Sequence, residues 1–166
     1  MTRRVAGCGI LIAAAMVLSY IEVLIPLDFG IAGVKLGLAN LAVLLTLYLF
    51  DTKSALLVSV VRIFLVAATF GNMAAMLYSL AGGLLSFLAM VLLKKAGGFS
   101  VIGVSALGGV CHNIGQIIVA SAVVNNLNML FYIPVLMISG IVTGMLLGMV
   151  VQRVLPALKK NKIFVK

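Results

Sequence analysis

Within GGVCHNIGQIIVAS, residues 108–121, three polar side chains interrupt an apolar run: His112, Asn113 and Gln116. Their chemistry is hydrogen bonding, and a histidine can also carry a proton or a metal. On a helix, His112 and Gln116 share a face, while Asn113 is turned about 100° from His112. One role is to tie helices together, with about 0.6 kcal/mol per bond in membrane proteins. The other is to read a polar ring or headgroup. A proton relay lacks an acid on the same helix. Metal binding by Cys111 and His112 is disfavoured, because adjacent residues point apart and no second pair exists.

Arg62 stands at the centre of another apolar run, SALLVSVVRIFLVAAT. An arginine at the middle of a membrane helix costs about 2.5–3.5 kcal/mol on insertion scales, so it faces the bundle interior and needs a partner. Glu22 can supply an internal ion pair. Alternatively Arg62, with Lys35, holds an anionic group, since the planar guanidinium donates two parallel hydrogen bonds to a carboxylate or phosphate. Asn40, Asn72 and Tyr78 complete the candidate binding set with His112, Asn113 and Gln116. The aromatics Tyr20, Phe29, Phe64, Phe70 and Tyr78 fall in the same region of the sequence map. They can pack helices, or stack on a planar ligand.

The elements that must position these residues are membrane spans. The chain has 166 residues, is 64% hydrophobic, and carries 12 Lys+Arg and 3 Asp+Glu. A soluble domain of this size has too little core to hide that much apolar surface. We expect one all-α transmembrane domain over 1–166, with six spans near 5–25, 36–50, 54–70, 73–93, 101–123 and 129–152. The formal charge of +9 then reflects basic residues flanking spans and does not imply nucleic acid. With the N-terminus inside, ten of the twelve Lys and Arg fall on inner connections, which places both termini in the cytoplasm. The opening MTRR and apolar run read as an uncleaved first helix. Cys8 and Cys111 read as small buried hydrophobes.

On this topology the polar residues map to the outer half and midplane, around a cavity open outwards and closed below. Gly140, Gly144 and Gly148 form two overlapping GxxxG steps, which let helix backbones approach closely. Gly9/Ala13 and Ala15/Ser19 are similar small-residue pairs on the first span. No GxxxxGK[ST], HExxH, CxxC or DDxxD-like cluster is present. ATP binding, zinc hydrolysis and magnesium-diphosphate catalysis therefore lack their usual residues here.

VKLGLAN (34–40), Arg62, FGN (70–72), YSLAGGLLS (78–86), GVSALGGVCHNIGQI (103–117) and SGIVTG (139–144) together resemble the bacterial Gx transporter family, also labelled heptaprenyl diphosphate synthase component I. Its members look like substrate-binding S components of energy-coupling factor (ECF) transporters, located in the bacterial cytoplasmic membrane. The resemblance implies six helices, a vitamin-like cargo bound from outside, and no cofactor. It also implies no catalysis by this chain and two kinds of partner: a transmembrane coupling subunit and two cytosolic ATPases. The 26–33 loop would close over the cargo. In S components an AxxxA motif on the first span contacts the coupling subunit. Here GILIAAAMVLS (9–19) offers Gly9, Ala13, Ala15 and Ser19 for that docking, without a strict AxxxA. Flavins, quinone precursors and other vitamins all suit an anion-binding, ring-stacking site. Two other readings stand beside this one: a membrane subunit associated with heptaprenyl diphosphate synthesis, and an assembly subunit of a membrane redox complex.

Overall fold

Helix starts in this chain fall where a short polar side chain can take up an orphan backbone N–H. Asp51 accepts from Ser54 N at 2.8 Å, Asn72 from Ala75 N at 2.7 Å, and Ser100 from Gly103 N at 3.1 Å. These caps open α3 (Thr52–Thr69), α4 (Met73–Ala96) and α5 (Val101–Val124). The remaining helices are α1 (Thr2–Leu24), α2 (Asn40–Leu49) and α6 (Ile133–Lys160), with a 3-10 helix over Leu127–Tyr132 before α6. The computed structural model describes residues 2–24, 37–161 and 164. The expected loop at 26–33 and Lys35 lie outside the described residues. Among the described residues the architecture is all-helical.

Among the described residues, five helical segments are long and apolar enough to cross a membrane. The second expected span differs. Helix α2 has 10 residues, about 15 Å of helix against a hydrocarbon core of about 30 Å. It begins at Asn40 and not at 36, because Gly37 adopts a left-handed φ of +85°. A Cβ there would sit 2.9 Å from His112 Cδ2 and 3.0 Å from Asn40 Nδ2. The chain turns at this point, pressed against α5. At the other end of the sequence, α6 starts later than expected and continues through Pro156 to Lys159 and Lys160. Basic side chains there complement the negative helix terminus.

Helix α2 lies inside the bundle, in contact with α1, α3, α4 and α6. Asn40, the run Ala42–Leu47, and Leu49 are all buried. The main apolar cluster surrounds it: Leu44 and Leu47 pack with Val58, Met90, Val104 and Val151. The opposite surfaces of the outer helices carry exposed Phe64, Leu88, Leu92, Ile138 and Leu146. Such apolar exteriors suit lipid. Two polar clamps close the end where α1 and α3 begin. Arg4 pairs with Asp51 and donates to Ser54 Oγ, and Lys94 donates to the carbonyl of Leu47 while lying 4.8 Å from the Tyr48 ring centroid.

The tightest packing joins α5 to α6. A Cβ on Gly109 would run into Gly140 O, and one on Gly144 would lie 2.6 Å from Ser105 O. The GxxxG stripe of α6 thus packs against α5 within this chain. Gly9, in contrast, has nothing within 4 Å of a Cβ position.

Two outcomes follow. Gly109→Ala should destabilise the fold by about 3 kcal/mol, because backbone cannot yield as a side chain can, while Gly9→Ala should be near neutral; unfolding in detergent micelles compares them. The Ser54 N–H and then Arg4 hold the Asp51 carboxyl down at about 2. Its folded value is depressed, so its stabilisation is present above the ordinary carboxylate range, near pH 4. That contribution is lost as pH falls through about 2. The melting difference between the wild type and Asp51→Asn should be flat above that range and vanish below it.

Candidate functional site

A half-length helix buried in a bundle leaves the rest of its column to be filled by something else. Here the space beyond the start of α2 is a cleft lined by side chains from α1, α3, α4 and α5. Its polar lining is Ser19, Glu22, Arg62, Ser79, His112 and Gln116, with Gly37 at its base. Open mouth included, it encloses about 410 Å³, but inside it is narrowed to water-sized gaps. It lies toward the end of the bundle away from Arg4 and Lys94.

Arg62 is 5% exposed. Its Nη2 donates to Asn40 Oδ1 at 3.0 Å, tying α3 to the first residue of α2. Its Nε has no hydrogen-bond partner among the described residues. Glu22 reaches across from α1. Its Oε1 accepts from Gly37 N at 2.6 Å and Leu38 N at 2.9 Å, and its charge favours the guanidinium of Arg62. A carboxylate oxygen therefore already rests on backbone N–H groups beside α2's positive end, the place where such groups attract anions.

His112 and Gln116, 2% and 0% exposed, present one face of α5 to this cleft. Their position depends on Gly82, where a Cβ would meet His112 O at 2.6 Å and Gln116 Cγ at 2.7 Å. On the α4 side, Gly83 leaves room for Ile63, whose Cδ1 would lie 3.1 Å from an added Cβ.

The structure thus brings Asn40, Arg62, His112 and Gln116 together, and it separates them from the other candidates. Asn113 points toward α6, where its Nδ2 donates to Leu136 O at 2.8 Å. Asn72 is exposed and its side chain is spent capping α4. Tyr78 is buried against Ile117, Ala120 and Leu136, Phe64 faces outward, and Tyr20 packs edge-on against Phe70 at 5.5 Å. The described aromatics therefore build no common stacking platform. On α1 the four docking candidates divide. Gly9 and Ala13 are exposed, whereas Ala15 packs on Ala39 and Ala42 and Ser19 enters the cleft. Ala15 and Ser19 are not available to a partner in this arrangement, because they let α1 approach α2.

Ser19, Ser79 and Gly37 line the cleft but were not among the binding candidates. For Ser19 a signal existed: it stands three residues before Glu22, on the same helix face. Gly37 carried none, since its role is a close backbone approach.

Removing either charge should loosen the junction of α1, α2 and α3. We expect Glu22→Gln and Arg62→Gln each to lower stability by about 1.5–3 kcal/mol. The double variant should cost less than their sum, as for members of one network. A double-mutant cycle of unfolding in micelles measures the coupling, and strict additivity would contradict it.

A sequence model of heptaprenyl diphosphate synthase component I matches residues 11–154. Comparison with curated proteins and with solved structures produced no match. The match spans both the cleft and the helices that frame it, and the chain belongs to the heptaprenyl diphosphate synthase component I family.

Proposed function

We propose that the chain is the substrate-binding membrane subunit of an ECF-type transporter, taking up a small anionic molecule of vitamin-like size. The observation that carries this reading is the buried Arg62, with Nε unengaged, beside a cleft that ends on the start of α2. With both termini in the cytoplasm, the cleft opens to the outside. Cargo enters there. Its anionic group lies on Arg62 near the α2 terminus, and His112 and Gln116 hydrogen-bond its polar edge. Lys35 and the 26–33 loop precede Gly37 directly in sequence. The water-sized gaps mean that the helices part slightly to admit cargo, since a ligand pocket of ordinary size runs to about 300–1,000 Å³.

The chain itself binds and releases, while ATP is consumed by two cytosolic ATPases through a coupling subunit. The part of α1 left for that subunit is the exposed Gly9 and Ala13 face.

The family's description favours a second reading, a membrane partner of a prenyl diphosphate enzyme. Arg62 suits a diphosphate, and a long prenyl tail would require a wider parting of the helices than a vitamin-sized cargo. Co-expression distinguishes the two. The transport reading predicts co-purification with a coupling subunit and ATPases. It also predicts ATP-dependent uptake reduced at least about tenfold by Arg62→Gln, the loss of one charge-assisted bond. Altered prenyl product length on co-expression with a catalytic subunit, without any uptake, would overturn it.

A further inference from the structure

At the opposite end of the bundle a second hollow lies between α1 and α3. Its walls are Val5, Cys8, Ile12 and Leu57, and Arg4 and Lys53 stand at its basic end. The volume is about 470 Å³. Arg4 and Ile12 are eight residues apart, about 12 Å along the helix. Over that length the hollow runs as a trough between the two helices. It is open along its side, since nothing lies within 4 Å of a Cβ position on Gly9.

The charges at its end are unequal. Arg4 and Lys53 line that end, and the acid beside them, Asp51, is already paired with Arg4 and hydrogen-bonded to Ser54. The surplus is positive, at the level where the apolar part of α1 begins. Cations at that level meet lipid headgroups, and anionic heads are attracted by about 1 kcal/mol per Lys or Arg.

We infer that this trough binds one anionic phospholipid. An acyl chain lies along Val5, Ile12 and Leu57, and the head phosphate rests on Lys53 beside Arg4. The positive surplus at the headgroup level, beside apolar walls, suits a lipid and selects an anionic head over a zwitterionic one. This site is separate from the cleft and does not depend on the transport reading. Gly9 borders both the trough and the face proposed for docking, so the test uses the chain alone.

The purified full chain is offered equal amounts of dioleoyl-phosphatidylglycerol and dioleoyl-phosphatidylcholine, and native mass spectrometry counts the adducts. Phosphatidylglycerol should be retained in clear excess. Lys53→Gln should reduce that adduct about fivefold and leave phosphatidylcholine unchanged. Leu57→Trp, which fills the trough from α3, should reduce the phosphatidylglycerol adduct, and so should Val5→Trp from the exposed side of α1. An unchanged melting temperature for Val5→Trp keeps the test valid should Leu57→Trp fail to fold. Equal retention of the two lipids, or a phosphatidylglycerol preference untouched by Lys53→Gln and Val5→Trp, overturns the inference.

Discussion

A guanidinium buried among apolar helices must be held by other polar groups, and much of this structure follows from where Arg62 finds them. One nitrogen bonds Asn40, the first residue of α2. The compensating charge is Glu22 of α1, whose oxygen also holds the N–H groups of Gly37 and Leu38. Three helices thus meet through one carboxylate, one guanidinium and the start of a short helix. The positive end of α2 and the positive charge of Arg62 repel each other, and both attract an anion. A carboxylate is what such a place attracts, and Glu22 supplies one from within the chain.

The rest of the bundle makes that junction possible. Helix α2 is completely enclosed for most of its length and ends under clamps by Lys94 and Arg4 at the basic end. Because it is only half the length of its neighbours, it fills one half of the interior with hydrocarbon and leaves the other half polar. The glycine contacts between α4, α5 and α6 bring His112 and Gln116 to the cleft wall. They also explain why this chain's glycine-rich segments fall in these three helices. At Gly109, Gly115, Gly140 and Gly144 backbone meets backbone, and no side chain is available to relax if one is filled.

Much of this was legible in the sequence. The breaks at Asp51, Asn72 and Ser100 are capping residues, and their chemistry marks helix starts independently of the membrane. The interior position of Arg62 and its link to Glu22 follow from the cost of a lone charge in lipid. Less legible was the length of α2, because residues 36–50 are apolar enough to span and only the backbone angle at Gly37 breaks the run. Asn72 could be a ligand or a cap by type, and the cap prevailed. Small residues on α1 look alike in sequence, yet Ala15 faces α2 and Gly9 faces outward. Which face a helix buries depends on its rotation about its own axis, and a uniformly apolar helix carries little pattern to reveal that.

The central claim is that Arg62, through its unengaged Nε beside the start of α2, binds a small anion. Native mass spectrometry of the chain, purified gently in detergent, tests it most directly. The account predicts a co-purifying anionic small molecule on the wild type that is lost from Arg62→Gln while the variant remains folded. The same molecule retained in full by Arg62→Gln would contradict it.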